Sequence, residues 1–315
     1  MRRRCLTLLC AITASACTSA STPPSTIPGR ELSGRIAFDR NFDIWTMDAD
    51  GGDPVRLTDH PGEDFDPAWS SDGAMIAFRS HRDGNEEVYV MRADGSGLRN
   101  LTSSPTSDYS PSWSPDGTRI AFATDRDADS GGNDIYTVEP DGTGLMRLTS
   151  GGGIDEYPSW SPDGSKIAFA CSGGRRLPEG VADFEICVMN SDGSDPVQLT
   201  DAPGLSDHPA WSPDGSVIAF MTTRDGWPTL PDYTPPGYEE GEFGEYEIYM
   251  MNADGTDPRS VTRNGREDEQ FPTWSPDGRY LMFSRYGCLV VSTPDGSWQM
   301  QVTRECADGF PSWSG

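Results

Sequence analysis

Histidine and carboxylate side chains are the groups in this sequence whose types and spacing are suited to acid–base chemistry. The chain contains three histidines, His60, His81 and His208, and no two of them have the spacing of a zinc site. Asp207 directly precedes His208, which makes His208 a candidate general base. No Gly-x-Ser-x-Gly motif marks a strained nucleophile. The alternative is that His208 is one variable residue of a repeat, and no catalytic residue is assigned.

A ring of acids is the second candidate site. In five of six repeat copies an acid stands three residues before a proline, and in the fourth copy Asp207 follows a serine at that position. The resulting set is Asp64, Asp108, Asp155, Asp207, Glu269 and Asp308. If the repeat copies surround a central channel, such a ring at the channel mouth would concentrate negative potential and attract a cation or a basic peptide. The alternative is that these acids pair with arginines such as Arg82, Arg126 and Arg224.

Two oxygen-rich segments raise the question of calcium. Asp48-x-Asp50-Gly51-x-Asp53 and Asn252-x-Asp254-Gly255-x-Asp257 resemble the start of a calcium loop, but neither has the later bidentate Glu. Both occupy a hairpin position that recurs in every copy. We therefore predict turns and no cofactor, with calcium as the alternative and the metal question open.

Six copies of one repeat must position these side chains. Trp-Ser-x-Asp-Gly begins at Trp69, Trp113, Trp160, Trp211 and Trp274, and Trp313-Ser314-Gly315 ends the chain. Segments similar to Ile-Ala-Phe, Ile-Tyr-x-Met, Asp-Gly and Leu-Thr follow in that order. Because Pro and Gly preset the turns between these segments, each copy predicts four short antiparallel strands, termed a to d.

The two ends of the chain predict how the repeats close. The first copy has strands b, c and d without strand a, and residues 310–315 are a strand a with nothing after it. Pairing the C-terminal strand a with the N-terminal strands b–d gives an all-β, six-bladed β-propeller without free sheet edges. The repeated tryptophans are then expected to pack between neighbouring blades.

These motifs also carry a family resemblance. Trp-Ser-Pro-Asp-Gly followed by Ile-Ala-Phe is similar to the PD40, or WD40-like, repeat of TolB propellers, over residues 34–315. The resemblance implies a non-catalytic propeller that binds a protein or peptide at its channel mouth. TolB has an α/β domain before its propeller, whereas this sequence has a short polar segment there. The chain therefore resembles a TolB-like propeller lipoprotein rather than TolB itself.

Two long connections are predicted on one face of the propeller, Cys171 to Phe184 and Met221 to Tyr246. The second contains Trp227, Tyr233 and Tyr238 beside an acidic run. Insertions on one face of a repeat fold often mark the binding face. The alternative is a solvated decoration.

Composition excludes several classes of protein. The chain has 315 residues, 50 Asp and Glu against 24 Lys and Arg, and a net charge of -26. A nucleic-acid binder needs clustered basic residues, and a membrane-spanning helix needs about 18 consecutive apolar residues. Neither feature is present. Nine Trp, ten Tyr and twelve Phe supply enough bulky side chains for a folded core.

The N-terminus has the pattern of an export signal. Residues 1–16 have a basic start and a short apolar stretch, and Ala14-Ser15-Ala16-Cys17 resembles a bacterial lipoprotein signal. That resemblance implies cleavage before Cys17 and lipidation of Cys17, whereas simple secretion after Ala16 is the alternative. Residues 17–33 are then an anchor and a Ser/Thr/Pro-rich tether, and residues 34–315 the propeller. The predicted location is the cell envelope, on a periplasmic or extracellular face.

Four cysteines remain beyond the anchor. An even number in an exported protein favours disulfides, and among three connectivities we choose Cys171–Cys187 and Cys288–Cys306. The alternative is buried free thiols.

The function predicted from the sequence is a binding scaffold. We expect a monomer that binds an envelope protein or peptide, one of basic character being favoured, touches the membrane only through its lipid anchor, and binds no nucleic acid. One alternative is an exported hydrolase or lyase that acts on a polymer in the central channel. Another is a calcium-binding structural propeller.

Overall fold

The computed structural model describes residues 32–315 except 128–131, 175–182, 203, 225–245, 263–266 and 305. Leu32–Gly315 forms one compact unit. The predicted signal, the anchor Cys17 and residues 18–31 of the tether lie outside the described residues, as do Trp227, Tyr233 and Tyr238. In the part of the chain that is described, no helix is long and apolar enough to span a membrane.

The first half of the propeller consists of short strands that repeat in length and sequence. They are β1 (Arg35–Arg40), β2 (Asp43–Asp48), β3 (Val55–Arg56), β4 (Asp64–Trp69), β5 (Met75–Ser80), β6 (Glu87–Arg92), β7 (Arg99–Asn100), β8 (Asp108–Trp113), β9 (Ile120–Thr124), β10 (Asp134–Val138) and β11 (Met146–Arg147).

The second half continues the same pattern. Its strands are β12 (Asp155–Trp160), β13 (Lys166–Cys171), β14 (Glu185–Asn190), β15 (Val197–Gln198), β16 (Ser206–Trp211), β17 (Val217–Thr222), β18 (Glu247–Asn252), β19 (Arg259–Ser260), β20 (Glu269–Trp274), β21 (Leu281–Arg285), β22 (Cys288–Ser292), β23 (Gln299–Gln301) and β24 (Asp308–Ser314).

These strands form six antiparallel four-stranded sheets, which are the blades of a propeller. Blade 1 has the order β24-β1-β2-β3, and blades 2 to 6 each use four consecutive strands from β4 to β23. In blade 1, Arg35 lies opposite Ser314 and Ile36 opposite Trp313. The predicted fold and its closure by strand a from the C-terminus are therefore confirmed.

Each strand b is apolar because the blade is covered on both faces. Phe38, Phe78, Phe122, Phe220 and Phe283 are fully buried, one in the b strand of each of five blades. Trp69 of blade 2 packs with Ala37 and Ile44 of blade 1, which is the predicted role of the repeated tryptophans. The core is thus a series of apolar layers between blades, in which every blade depends on its neighbours.

A threonine latch joins strand d to strand c in every blade. The backbone N–H of Ile44 donates to Thr58 Oγ1 at 2.9 Å. The equivalent pairs are Val88–Thr102, Ile135–Thr149, Ile186–Thr200, Ile248–Thr262 and Leu289–Thr303. The Thr of the Leu-Thr segment therefore extends the pairing of a strand d that is only two or three residues long.

Two disulfides are present at the predicted pairs. Cys171 is bonded to Cys187 across strands β13 and β14. Cys288, the first residue of β22, is bonded to Cys306, which lies two residues before β24. The second bond therefore ties blade 6 to the approach of the strand that closes the propeller.

Candidate functional site

The innermost strand of each blade has a β-bulge at the residue before its proline. In blade 2, Phe65 pairs with Arg79 and Ala68 with Ala77, so Asp66 and Pro67 together oppose one residue of strand β5. The same shift occurs in all six blades. The bulged residues have φ of 41–59° and are Asp66, Ser110, Tyr157, His208, Phe271 and Phe310. Bulges of this kind commonly redirect a side chain beside a functional site.

The six bulged residues surround a cavity on the axis of the propeller. Each blade contributes its bulged residue and the following proline to the lining, and the cavity volume is about 130 Å³. Asp66 and Ser110 make one side polar, whereas Tyr157, His208, Phe271 and Phe310 make the other side aromatic. We call this cavity the axial pocket.

The aromatic side of the axial pocket is a continuous stack. Tyr157 and His208 are stacked with ring centroids 3.6 Å apart, and Phe271 and Phe310 are stacked at 3.8 Å. An edge-to-face contact of 4.9 Å between His208 and Phe271 joins the two pairs. Because each ring packs against the next, the wall is held in one arrangement before anything binds.

His208 presents a defined ring nitrogen to the axial pocket. Its Nδ1 lies 3.0 Å from Asp207 Oδ1. An ionised carboxylate only accepts hydrogen bonds, so Nδ1 carries the proton and donates it to Asp207. In the neutral imidazole, Nε2 is then an acceptor, and it has no hydrogen-bond partner among the described residues.

Asp66 and Ser110 provide the polar side of the pocket. Asp66 Oδ2 forms an ion pair with Arg79 Nε at 3.2 Å, and Arg79 also pairs with Glu86 at 2.7 Å. Asp66 Oδ1 and Ser110 Oγ are buried and have no hydrogen-bond partner within the described residues. Burial raises the pKa of the Asp66 carboxyl, and Arg79 only partly opposes this rise.

Further buried acids stand beside the pocket. Burial, reinforced by the charge of Asp66, raises the pKa of Asp39 to about 8. Glu156 accepts a hydrogen bond from the Tyr109 hydroxyl at 2.9 Å, and burial raises its pKa as well. The centre of the propeller therefore contains more carboxyl groups than nearby cations.

The acids predicted to ring the channel mouth do not line the axial pocket. Asp64 and Asp108 are fully buried and pair with Arg82 and Arg126 at 2.9 Å. Asp308 pairs with Arg40 in the same way, and Glu269 accepts from Arg285 at 3.0 Å. These acids begin strand a and bind an arginine at the end of strand b or two residues after it. The pairs with Arg82 and Arg126 are those of the alternative interpretation.

The remaining predicted acids also lie outside the pocket lining. Burial raises the pKa of Asp155 to about 6, and Asp207 is buried beside His208. Of the predicted binding residues within the described chain, His208 is the one that lines the axial pocket.

Sequence reasoning missed the other five members of the bulged ring. Asp66, Ser110, Tyr157, Phe271 and Phe310 share one signal, since each stands directly before the proline of Pro-x-Trp. They differ in type from copy to copy within an otherwise regular repeat. Comparing the residue type at this position across the six copies would have identified them, provided that the bulge was known.

The two calcium candidates form turns. Asp50 Oδ1 accepts from the Gly52 N–H, and Asp254 Oδ1 accepts from both the N–H and the hydroxyl of Thr256. In the described part of the chain, no group of three or more His, Cys, Asp or Glu side chains is arranged to hold a metal ion.

Comparison with known proteins supports the same class of fold. The family model of the tricorn protease N-terminal beta propeller domain matches residues 32–143. A TolB homolog from Chlorobium luteolum is 34% identical over 129 residues, which cover 33% of this chain and 29% of that protein. The chain thus matches less than a third of the length of that relative.

Two solved structures extend the likeness to the whole propeller. TolB from Acinetobacter baumannii superposes with a TM-score of 0.71 at 22% identity, over 90% of this chain and 67% of that one. A putative TolB from Agrobacterium tumefaciens gives a TM-score of 0.66 at 19% identity, over 89% and 92%.

Fold and site together define a closed six-bladed β-propeller with a pocket on its axis. The propeller is TolB-like, as the Trp-Ser-Pro-Asp-Gly repeats indicated, and that resemblance is confirmed.

Replacing Asp64 tests whether the predicted ring of acids has a structural role. The variant Asp64→Asn leaves the Arg82 guanidinium, whose side chain is 11% exposed, without its counter-charge. We expect a loss of about 3 kcal/mol in the free energy of unfolding, measured by urea denaturation. The control Glu63→Gln changes an exposed neighbouring acid and should alter stability by less than about 0.5 kcal/mol. Equal stability of the two variants would contradict a structural role for the Asp64–Arg82 ion pair.

The buried Asp39 carboxyl predicts a specific pH dependence. Between its unfolded pKa of 3.8 and its folded pKa of about 8, the folded protein holds a proton that the unfolded chain releases. Wild-type stability therefore falls as pH rises through this window, by about 1.4 kcal/mol per pH unit from this group.

The variant Asp39→Asn should lack this contribution. Its advantage over the wild type should grow from pH 5 to pH 7, measured by urea unfolding at each pH. Asp53→Asn, an exposed acid in the β2–β3 turn, is the control and should show no such trend. A constant difference between Asp39→Asn and wild type at all pH values would refute the assignment.

Proposed function

We propose that this chain is an exported, lipid-anchored propeller that binds a protein or peptide of the cell envelope and catalyses no reaction. The observation that carries the proposal is the axial pocket, into which six blades direct one side chain each. A ring that varies in residue type on a regular scaffold is suited to recognition. The TolB-like repeats support the same role, since such propellers are binding modules.

The partner is expected on the face where strands a begin. Strand β16 starts at Ser206 on this face and carries His208 as its third residue. Because neighbouring strands are antiparallel, β17 ends and β18 begins on the same face, at Thr222 and Glu247. The long connection between those strands therefore leaves from the face that contains the axial pocket.

Charge favours a basic partner. The net charge is -26, and the Asp66 carboxyl in the axial pocket shares its partner Arg79 with Glu86. A field of this sign speeds the approach of a cationic surface, mainly through the association rate. Lipid attachment at Cys17 would hold the propeller at a membrane surface, with residues 18–33 as the tether.

Cross-linking in intact cells tests the binding role. The tagged chain is cross-linked, purified under denaturing conditions and analysed by mass spectrometry. The variant Ser110→Phe should abolish capture of a discrete partner, because it places a ring in the pocket at a position where Phe271 and Phe310 already stand in other blades. The control Leu145→Phe enlarges an exposed residue of the β10–β11 turn, on the opposite face, and should keep the partner.

The same cells report on the anchor. The variant Cys17→Ser should move the protein from the membrane fraction to the soluble fraction.

Failure of Ser110→Phe to change capture, with a normal melting temperature, would remove the axial pocket from the binding surface. Capture of no discrete partner by the wild type would argue against the scaffold role.

The His208–Asp207 pair favours a second candidate, a hydrolase or lyase. The carboxylate orients the imidazole, and Nε2 faces a pocket that also contains the Ser110 hydroxyl. In this scheme His208 would act as a general base on a polymer segment that enters the channel.

A turnover assay distinguishes the enzyme from the scaffold. The wild type is incubated with envelope and extracellular polysaccharides and peptides, and new chain ends are measured. If the enzyme interpretation holds, His208→Ala should lower turnover by at least about 100-fold while the melting temperature stays within a few degrees. The control His60→Ala changes an exposed histidine and should keep wild-type turnover. Turnover equal in wild type and His208→Ala, or none in either, rejects this candidate.

A further inference from the structure

We propose that the axial pocket is a binding site for a primary ammonium group carried on a short apolar stem. This inference deepens the proposed function, because it names the chemical group that enters the pocket, and it rests on the pocket being the binding surface.

The polar atoms of the pocket are all acceptors or able to act as acceptors. Asp66 Oδ1, Ser110 Oγ and His208 Nε2 come from three different blades, and none has a hydrogen-bond partner in the described residues. Asp66 and Ser110 are 9% and 7% exposed, so water satisfies them poorly. Buried polar atoms without partners are costly, and a ligand that donates to them removes that cost.

The tautomer of His208 selects the kind of ligand. Since Nδ1–H donates to Asp207, the neutral ring offers a lone pair at Nε2. A primary ammonium has three donors and no acceptor, which matches one carboxylate oxygen, one hydroxyl and one imidazole nitrogen. A carboxylate or phosphate ligand would instead place its negative charge against Asp66.

The aromatic side supplies the rest of the recognition. Tyr157, Phe271 and Phe310 present ring surfaces to the pocket beside the polar atoms. Such surfaces attract a cation through the ring quadrupole and bury an aliphatic stem. The stacked arrangement already exists without ligand, so little ordering is required on binding.

The size of the pocket limits the ligand to one side chain or a small amine. A volume of about 130 Å³ is close to that of engineered cavities of about 150 Å³ that hold one benzene molecule. About six non-hydrogen atoms therefore fit. The stem and nitrogen of a lysine side chain are within this size, as is butylammonium.

An inorganic cation is a poorer match. Calcium takes about six to eight oxygen ligands, whereas most of the lining residues are aromatic side chains or prolines. Among the described residues, no three His, Cys, Asp or Glu side chains come together as ligands for a metal ion. The Asp66 carboxyl is thus better matched by an organic ammonium, which tolerates the aromatic wall.

Histidine NMR provides a direct measurement on the full chain. The protein has three histidines, so its carbon–proton spectrum contains three imidazole Cε1–Hε1 signals, and His208→Asn assigns the one in the pocket. We expect butylammonium chloride at millimolar concentration to shift the His208 signal and leave those of His60 and His81 unchanged. The matched neutral probe 1-butanol should leave all three unchanged at the same concentration.

Two variants test the acceptors. Asp66→Asn keeps the shape and removes the charge, and it should weaken butylammonium binding about 10-fold or more, because a hydrogen bond to an ionised acceptor is stronger than one to a neutral acceptor. Asp53→Asn makes the same charge change on an exposed residue of the other face and should bind as the wild type does. Comparison of the two probes on the wild type needs no variant, so the test survives if Asp66→Asn folds poorly.

The source of the ammonium is separated by a peptide probe. Acetyl-Gly-Lys-Gly-amide presents the same group on a peptide, and binding at least as tight as that of butylammonium indicates a lysine of a partner. Binding of butylammonium alone indicates a free amine. Both outcomes support the site.

Three results would overturn the inference. They are no shift of the His208 signal up to about 50 mM butylammonium, an equal shift with 1-butanol, or unchanged affinity in Asp66→Asn with a normal fold. If the cross-linked partner persists while butylammonium fails to bind, the scaffold role stands and only the ammonium site is lost. If butylammonium binds and no partner is captured, the ammonium site stands and the scaffold role is lost.

Discussion

The bulge at the pre-proline residue of each innermost strand is the constraint on which both the fold and the site depend. A non-glycine residue at φ of 41–59° occurs there in every blade, and each such residue costs about 1–3 kcal/mol of backbone strain. The surrounding structure must hold it in place. The bulged residue is held by strand pairing on either side of it, by the buried phenylalanine of strand b and by the neighbouring blades. The result is that one side chain per blade is turned towards the axis.

Buried acid–arginine pairs hold the start of the same strands. Asp64, Asp108 and Asp308 bind arginines at the end of strand b or two residues after it. Arg40, Arg82 and Arg126 also lie over aromatic rings of their own blades. A buried pair of this kind contributes little net stability but is costly to break. These acids therefore secure the geometry of the bulge a short distance away. They account for part of the acidic composition and do not line the axial pocket.

Symmetry and asymmetry have separate roles in this molecule. The threonine latches, the tryptophan contacts and the bulges recur in every blade, which makes the scaffold uniform. The six residues at the bulges are of five types, with Asp66 and Ser110 on one side and an aromatic stack on the other. A closed ring of identical supports thus carries a pocket with distinct polar and apolar sides, and this is the property that a selective binding site requires. The Cys288–Cys306 bond stabilises the point where the ring closes.

Local sequence was enough to predict the architecture, because each motif acts over a few residues. Ser-Pro-Asp-Gly specifies a turn, Ile-Ala-Phe specifies a strand buried on both faces, and the strand a at the end of the chain specifies closure of blade 1. The pairings Cys171–Cys187 and Cys288–Cys306 also followed from position in the repeat. The axial pocket could not be predicted from local sequence in this way. Strict alternation along a strand would place the side chains of Asp64 and Asp66 on the same face. The bulge at Asp66 and Pro67 interrupts that alternation. Only the tertiary structure decided that Asp64 is clamped by Arg82 while Asp66 reaches the axis, because the environment of each side chain is set by how six blades meet, not by the residues beside it in the chain.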